Sequence, residues 1–530
     1  MPGMTVRGNG AVRPECNVLF VIIDQLRADC ISGALAGHVA MPHLRALAAD
    51  AVSFANHFSV TNPCGPSRAS ILTGQYAMNH RAVRNGTPLA HDMPNLATEA
   101  RKAGYLPRLY GYTDITPDPR RHDARDPELA SYEGVLPGFV EALEMRLEES
   151  IPWRAHLRSA GYDVAGEDLY RPNGTRPDDP AIYAAEHSDT AFLTDKVIEE
   201  LQVRPRGWFA HVTYIRPHAP LVAPAPYNKA VAARDVPAAY RPLDRDAEAA
   251  AHPFNRALLA HKTIADHVDG FPDLADSKEN AAMLRAIYLG LAMEVDHHIG
   301  RILTYLSETG QYDNTLIVVT ADHGEMLGDR HVWGKMTYYG EAYHTPLIIR
   351  DPEHPACFGT VVSDPTESVD IAPTLLDLIG QEVPDTMNGA SLRPFLEGAN
   401  PAGWRRYSFS ELDFGDPVTP TAWQELLGLR AEEANLAVLR SASHVLVHFN
   451  GDLPPLLFER DGLREAREIT NEPGSEKILL EMSRAMLNHR MAHADGRFAR
   501  TMVTKDGPVR RPRGGYPVGL RLVEASCGVS

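Results

Sequence analysis

The stretch from residue 62 to residue 76 carries the densest set of side chains that could do chemistry. It reads Asn-Pro-Cys-Gly-Pro-Ser-Arg-Ala-Ser-Ile-Leu-Thr-Gly-Gln-Tyr and contains a Cys-x-Pro-x-Arg core formed by Cys64, Pro66 and Arg68. Prolines restrict the backbone on both sides of the cysteine, and the run from Ser67 onward predicts a helix start. The free N–H groups and the dipole at a helix start favour an anion. The stretch therefore predicts a cysteine at an anion site, and a buried structural cysteine at a turn is the alternative.

Two predicted buried strands end in side chains that could bind a metal. The apolar run 18–23 is followed by Asp24, and the run 315–320 is followed by Asp322 and His323. Ligands of open α/β sheets bind beyond the carboxyl ends of the strands. Two carboxylates and an imidazole suit a divalent ion and leave a position for a substrate oxygen. Taken alone, Asp24 could equally be a helix cap or an ordinary loop residue.

The elements between these motifs alternate between strand and helix, which predicts an α/β fold with a large, mostly parallel sheet sandwiched by helices. Further strands are expected at 106–111, 208–214 and 346–350, and helices at 42–51, 95–102, 187–201, 280–306 and 369–379. The irregular segments 115–187 and 228–278 are expected to be insertions, the first a functional loop or lid.

The character of the sequence changes near residue 400. Short strands are predicted at 407–410, 434–441, 444–450 and 456–459, with a closing helix at 475–494. We therefore expect a catalytic domain over 16–400, a smaller α+β subdomain on an antiparallel sheet over 401–495, and a C-terminal arm over 496–530. Residues 1–15 are expected to form a loose lead-in.

Composition limits the classes of protein and of partner. The 530 residues are 44% hydrophobic and 23% charged, as in an ordinary globular enzyme, and the net charge of -17 argues against nucleic acid. An anionic substrate would therefore need a local cation. The five cysteines show no paired spacing, and no apolar stretch reaches the roughly 18 to 20 residues that span a bilayer. These features predict a cytoplasmic protein that does not bind membranes.

The motifs together resemble the type I sulfatases of the alkaline phosphatase superfamily. The resemblance is carried by strand-Asp24, by Cys64-x-Pro-x-Arg68 with the Ile-Leu-Thr-Gly sequence at 71–74, and by Thr-Ala-Asp-His-Gly-Glu at 320–325. It extends over about residues 16 to 495. The stretches 78–85, 111–120 and 214–220 look most like phosphonate monoester hydrolases and the arylsulfatases closest to them.

The resemblance implies a set of site residues. Cys64 would be oxidised to formylglycine by a formylglycine-generating enzyme, and the modified residue would hold one divalent metal ion together with Asp24, Asp322 and His323. Arg68 would lie beside the nucleophile, and His218 and Lys335 would act in catalysis. The substrate-binding residues would be Asn85, Tyr112, Asp114, His218 and Lys335. Taken singly, Lys335 could be a surface lysine, Tyr112 a core aromatic and Asn85 a turn residue.

The same resemblance implies a mechanism. One hydroxyl of hydrated formylglycine would attack sulfur or phosphorus in line with the leaving group, and His218 or Lys335 would stabilise or protonate the departing oxygen. The second hydroxyl would then expel the sulfate or phosphonate, so the reaction passes through a covalent sulfo-enzyme. An unmodified thiol could not perform that last step.

Two positions depart from the family pattern. Many sulfatases have a second Asp where this chain has Gln25, which would leave either a neutral ligand or one metal ligand fewer, with Gln25 then supporting the direct ligands. This change favours Mn²⁺ over Ca²⁺, with Zn²⁺ also possible. Asp114 stands where phosphonate hydrolases of this group look to have Thr. Unless Arg120 or another cation pairs with it, a carboxylate there would disfavour extra negative charge on the substrate, and this favours singly charged sulfate monoesters.

The sequence therefore predicts a formylglycine-dependent sulfuric ester hydrolase of the arylsulfatase type, acting on a small anionic ester with side activity on phosphonates. The alternative is a phosphonate monoester hydrolase or phosphodiesterase as the main activity. Two other interpretations are disfavoured. An isomerase of the phosphoglycerate mutase type would have Ser or Thr as its nucleophile, and a non-catalytic binding protein would not be expected to retain every candidate ligand residue of the site. The C-terminal arm favours a homo-oligomer, a dimer or tetramer.

Overall fold

A computed structural model of the protein describes residues 15–147, 150–165, 168–497, 499–505 and 507–510. The lead-in expected at the N-terminus and the end of the predicted arm, from residue 511, lie outside the described residues. The strands are β1 Asn17–Ile23, β2 Val52–Phe54, β3 His57–Phe58, β4 Pro107–Gly111, β5 Val140–Glu144, β6 Phe209–Tyr214, β7 Thr315–Thr320, β8 Leu347–Arg350, β9 Val361–Val362, β10 Thr366–Glu367, β11 Ser408–Asp413, β12 Asn435–Arg440, β13 His444–Phe449, β14 Leu456–Asp461, β15 Arg464–Glu468, β16 Thr501–Thr504 and β17 Gly507–Arg510.

The α-helices lie mostly between the strands of the first 400 residues. They are α1 Pro42–Ala49, α2 Cys64–Thr73, α3 Ala77–His80, α4 Leu96–Lys102, α5 Ile151–Ser159, α6 Asp189–Leu201, α7 Arg245–Ala251, α8 Pro253–His261, α9 Lys278–Glu308, α10 Ile371–Leu378, α11 Arg393–Leu396, α12 Ala422–Leu427 and α13 Ser475–Ala492.

The large sheet has eight strands in the order β5, β4, β6, β1, β7, β8, β2 and β9. The strands from β5 to β7 are parallel, whereas β8 runs antiparallel to both β7 and β2. The sheet is therefore mostly parallel, which confirms the predicted fold class. Parallel pairing brings the carboxyl ends of β4, β6, β1 and β7 to one edge.

The central strand β1 is buried on both faces, as its unbroken apolar run predicts. Leu19, Val21 and Ile23 pack into one core with helices α1, α6 and α9, and the alternate residues of β1 pack into a second core with α2, α4 and α10. Successive side chains of a strand point to opposite faces, so one strand serves two helix layers. The large sheet is thus held rigidly between helices.

The second sheet is antiparallel, with its strands in the order β11, β12, β13, β14 and β15. Met482 and Met486 of α13 pack on it in a cluster with Leu446 and Leu457. The sequence predicts four of these strands but not β15, because its Arg-Glu-Ala-Arg-Glu segment is polar and lies at the sheet edge, with Glu465 as its one buried residue. The exact division at residues 400 and 495 stays a prediction.

Several segments are more regular than the sequence indicates. The insertion 115–187 contains β5 and α5, which buries Trp153 and Leu157, and the insertion 228–278 contains α7 and α8. Two exposed strands, β16 and β17, form a hairpin where an extended arm was expected. In the two insertions tertiary packing supplies the order that weak local periodicity does not indicate.

Within the described residues, no helix has the length and apolar character that crossing a membrane requires. The cysteines in the same part of the chain, Cys16, Cys30, Cys64 and Cys357, are all free. The remaining cysteine, Cys527, lies outside it.

Candidate active site

Four strands of the large sheet deliver the candidate residues to one edge. Asp24 directly follows β1, and Asp322 and His323 follow β7. The parallel register pairs Ile22 with Thr320, so Asp24 and Asp322 lie side by side two residues further on. The segments that carry Asp114 and His218 leave the same edge from β4 and β6. The convergence that the sequence predicts is therefore present in the structure.

The nucleophile candidate lies at the first residue of α2, three residues earlier than the helix start predicted at Ser67. Cys64 and Arg68 are one helical turn apart and face the same side. Gly65 allows close approach, because a Cβ there would lie 2.8 Å from the Asp114 carbonyl and 3.0 Å from Asn85 Oδ1. The helix ends at Gly74, which has a left-handed backbone with φ of 63°.

Four buried side chains form a cluster that could hold a metal ion. One ligand atom from each of Asp24, Cys64, Asp322 and His323 lies within 4.8 Å of the others. Nε2 of His323 is 3.3 Å from Sγ of Cys64, and its Nδ1 is 3.0 Å from the Gly324 carbonyl. Among the described residues, Asp24 Oδ1 is buried without a hydrogen-bond partner. A buried carboxylate oxygen of this kind fits a cation, and the mixed O/N donor set suits a divalent metal.

Arg68 is fully buried between the two carboxylates. Its Nε donates to Asp322 Oδ2 at 3.0 Å, its Nη2 donates to Asp24 Oδ2 at 3.1 Å, and its guanidinium stacks 4.3 Å from the centre of the Tyr112 ring. The Tyr112 hydroxyl donates to Asp24 Oδ2 at 2.6 Å. The structure thus places Tyr112 as an orienting partner of Asp24, whereas the family resemblance implies a contact with the substrate.

The pKa values of Asp24 and Asp322 shift in opposite directions. Burial, and next the charge of Asp322, raise the pKa of Asp24. Burial also opposes ionisation of Asp322, but His323 and Arg68 lower its pKa to about 2. One arginine therefore does not fully offset two adjacent carboxylates, and a further cation would favour ionisation of both.

Lys335 and His218 lie across from the cysteine. The Lys335 ammonium donates to Sγ of Cys64 at 3.3 Å, and Nε2 of His218 is 3.9 Å from the same sulfur. Burial, and next the charge of Asp24, raise the pKa of the Cys64 thiol well above its usual value. An unmodified Cys64 would therefore be mostly protonated and a weak nucleophile near neutral pH.

Asn85 and Asp114 flank the start of α2. Asn85 Oδ1 accepts from the Gly65 N–H at 2.9 Å. Asp114 is buried, has a positive φ of 51°, and lies 3.7 Å from Nε of Arg68. Arg120 pairs with Asp118 at 2.6 Å, so it is not the partner of Asp114. The nearest cation to Asp114 is the Arg68 guanidinium.

Gln25 joins the site through its side chain. Its Oε1 accepts from Lys335 Nζ at 2.9 Å and its Nε2 donates to Glu325 at 2.5 Å. The sequence analysis does not give Glu325 a role, although the residue belongs to the motif that carries the family resemblance. Its position two residues after His323 is the signal that could have indicated one.

The loop that carries His218 is held from behind by Arg216, another buried residue without a predicted role. Nη1 of Arg216 donates to the carbonyls of His218 and Pro220 at 3.2 and 2.8 Å, and its Nε donates to Asp189 at 3.2 Å. The His218 backbone is thus tied to the first residue of α6. This support could be expected from the position of Arg216 at the end of β6.

The large sheet and the carboxylate and imidazole cluster at its edge define an enzyme of the alkaline phosphatase type. A family model described as Sulfatase matches residues 16–381, and the chain belongs to the sulfatase family. This finding confirms the resemblance stated from the motifs.

Relatives within this family include hydrolases of two ester types. The chain is 36% identical over 497 residues to the multifunctional alkaline phosphatase superfamily protein PehA of Trinickia caryophylli, covering 90% of this chain and 96% of the relative. It is 28% identical to an arylsulfatase of Clostridium perfringens, covering 76% and 82%.

Two solved structures of phosphonate monoester hydrolases are also similar. The enzyme of Silicibacter pomeroyi is 56% identical, with a TM-score of 0.91 and coverage of 94% of this chain and 99% of that one. The enzyme of Agrobacterium radiobacter is 40% identical, with a TM-score of 0.90 and coverage of 94% and 100%. The chain is therefore a hydrolase of the sulfatase or phosphonate monoester hydrolase kind.

Proposed function

We propose that the chain is a formylglycine-dependent hydrolase whose main substrates are phosphonate monoesters and phosphodiesters. The observation that carries this proposal is the 56% identity to a phosphonate monoester hydrolase over 94% of the chain. The geometry supports it, since Cys64 at the start of α2 faces Lys335, His218 and His323. The sequence motifs alone favour sulfate monoesters as the main substrates, and the identity to a phosphonate monoester hydrolase is our reason for proposing the opposite order.

The nucleophile would come from Cys64 after its oxidation. The Sγ atom stands where an oxygen of hydrated formylglycine would act. Asp24, Asp322, His323 and the modified Cys64 would hold one divalent ion, which when bound would supply Lewis acidity and favour an ionised nucleophile. Mn²⁺ is the proposed ion because the donors include an imidazole, with Ca²⁺ and Zn²⁺ as alternatives. A cytoplasmic location also stays a prediction.

Other side chains would bind and balance the substrate charge. Lys335 would contact an oxygen of the transferring group, because its ammonium is 3.3 Å from the nucleophile position. Asn85 accepts from Gly65 through Oδ1, so its amide is oriented with Nδ2 as the donor for the anion. Preorganised donors of this kind stabilise charge that develops in the transition state. The hydrogen-bonded pair of Lys335 and His218 would also stabilise or protonate the departing oxygen, with the lysine ammonium as the source of the proton.

Asp114 no longer argues for sulfate. As a carboxylate beside the anion it would repel additional charge, but burial raises its pKa well above the usual value, and the nearby Asp24 acts in the same direction. A protonated Asp114 is a hydrogen-bond donor and adds no negative charge. Phosphonate monoesters, phosphodiesters and sulfate monoesters each carry one negative charge, so the site suits all three. Sulfate monoester hydrolysis is the second candidate, favoured by the similarity to an arylsulfatase.

The test compares matched nitrophenyl esters of phenylphosphonate, phosphate diester and sulfate. We expect the largest kcat/KM for the phosphonate or the diester. A larger value for sulfate would make the enzyme an arylsulfatase.

The formylglycine mechanism has its own test. The protein should be made with and without a formylglycine-generating enzyme, and the mass of the tryptic peptide that contains Cys64 should be measured by mass spectrometry. Full activity with an unmodified thiol would refute the formylglycine mechanism.

A further inference from the structure

Glu325 is a buried carboxylate surrounded by N–H donors. Its Oε1 accepts from the backbone N–H groups of Leu327 at 2.9 Å and Gly334 at 2.6 Å, and its Oε2 accepts from Gln25 Nε2 at 2.5 Å. The side chain is 1% exposed. Because both carboxyl oxygens accept from N–H groups, this contact requires Gln25 to present its amide N–H to Glu325.

This requirement determines which way the Gln25 amide faces. With Nε2 directed at Glu325, the opposite atom Oε1 faces Lys335 Nζ at 2.9 Å. The Gln25 backbone is also held, because its N–H donates to Asp322 Oδ1 at 3.1 Å and its carbonyl accepts from the Tyr288 hydroxyl at 2.8 Å. With the backbone held, the amide can change only by rotating about its terminal bond. A rotated amide would direct its N–H groups at the Lys335 ammonium.

We propose that Glu325 is a positioning residue that makes Gln25 present its oxygen, and not its nitrogen, to Lys335 and to the metal cluster. Through the Gly334 N–H it also holds the residue that precedes Lys335. One carboxylate therefore orients Gln25 and the backbone next to Lys335, the two partners of one hydrogen bond. The inference concerns the same metal site as the proposed function and rests on that site.

The physical reason is the sign of the neighbouring charges. An amide oxygen carries partial negative charge and stabilises both an ammonium and a divalent cation, whereas an amide NH₂ group destabilises both. Groups that orient metal-site residues in this way typically change metal affinity or activity about 10- to 100-fold when they are replaced. The effect of Glu325 should therefore appear in metal binding as well as in turnover.

Three variants test the orientation. Glu325→Gln keeps an oxygen for Leu327 and Gly334 but turns an NH₂ group toward Gln25, which must then rotate. Adding Gln25→Glu supplies a carboxylate acceptor and restores the hydrogen bond with its direction reversed. The control is Glu465→Gln, another buried carboxylate that accepts a backbone N–H, from Gly340 at 3.1 Å. Mn²⁺ affinity is measured by calorimetry on the protein stripped of metal, with thermal unfolding in parallel.

We expect Glu325→Gln to weaken Mn²⁺ binding about 10- to 100-fold, the double variant Gln25→Glu/Glu325→Gln to recover most of that loss, and Glu465→Gln to bind as the wild type does. If Glu325→Gln binds Mn²⁺ as tightly as the wild type, the positioning role is wrong while the metal site stands. If the double variant binds no better than Glu325→Gln, the role is likewise wrong. A wild type that binds no divalent ion overturns both this inference and the metal site.

Discussion

The Lys335 ammonium donates to Nε2 of His218 across 2.6 Å. The imidazole is therefore held as an acceptor at Nε2 and as a donor at Nδ1, where the Ala219 carbonyl lies 2.5 Å away. Burial, and next the positive charge of Lys335, lower the pKa of His218 well below its usual value. The pair thus carries one positive charge, on the lysine, directly beside the nucleophile position.

This arrangement predicts that Lys335 matters most when the leaving group is poor. Lys335→Ala should reduce kcat/KM by about 10²- to 10⁴-fold for esters of weakly acidic alcohols, and by much less for nitrophenyl esters. The measurement is the slope of log kcat/KM against the pKa of the leaving alcohol, which should become steeper. Lys196→Ala, at an exposed lysine that pairs with Glu199, is the control. An unchanged slope would exclude a role of Lys335 at the leaving oxygen.

The raised pKa of Asp114 predicts a rise in KM at alkaline pH. Below its folded-state pKa the group is neutral and donates to the anion; above it, the new negative charge repels the substrate. Asp114→Asn should remove this rise and keep KM nearly constant. The buried neighbour Asp118, whose pKa the hydrogen bond from Arg120 holds below its usual value, provides the control variant Asp118→Asn. The measurement is KM as a function of pH. A rise that persists in Asp114→Asn would mean that another group causes it.

Much of the site could be predicted because its residues follow strands that are themselves easy to predict. The apolar runs of β1 and β7 are unbroken, and parallel strands must end at one edge, so Asp24 and Asp322 were expected to meet. Cys64 and Arg68 are linked by helical spacing within one motif. These inferences depend on local pattern and on sheet topology alone.

The contacts between side chains could not be predicted in the same way. Nothing in the spacing of these residues shows that Gln25 forms hydrogen bonds with both Glu325 and Lys335. Those contacts depend on the turn between His323 and Lys335. The pairing of Arg120 with Asp118 in place of Asp114 is decided by a local turn as well. Strand β15 was missed because a polar edge strand is stabilised by its neighbour and not by its own composition.

The exposed apolar side chains near the C-terminus support the expected homo-oligomer. Leu480, Leu487 and Met491 are 59 to 71% exposed on α13, and Met502 and Val503 of the hairpin are more than 70% exposed. Patches of this kind commonly mark interfaces, and we expect a second copy of the chain to bind this one. Deleting residues 496–530 should reduce the number of subunits per particle, obtained by dividing the light-scattering mass by the mass of the truncated chain. A control deletion of residues 1–14 should leave that number unchanged, and an unchanged number after the first deletion would contradict the role of the arm.

The unpartnered Oδ1 of Asp24 predicts that replacing this residue raises the stability of the metal-free protein and weakens metal binding. Because burial raises its pKa, the folded metal-free protein binds this proton more tightly than the unfolded chain does, so stability falls as pH rises above the usual pKa of Asp. Asp24→Asn should therefore stabilise the metal-free protein near pH 8, because the neutral amide removes a buried negative charge that lies beside Asp322. The free energy of unfolding of the wild type should rise by about 2.7 kcal/mol with an ion at 100 times its Kd, whereas that of the variant should rise much less.

Thermal unfolding with chelator and with Mn²⁺ measures both effects. The control is Asp50→Asn, at a carboxylate that pairs with Arg350 outside the site. Equal stabilisation of wild type and Asp24→Asn by Mn²⁺ would show that Asp24 is not a ligand.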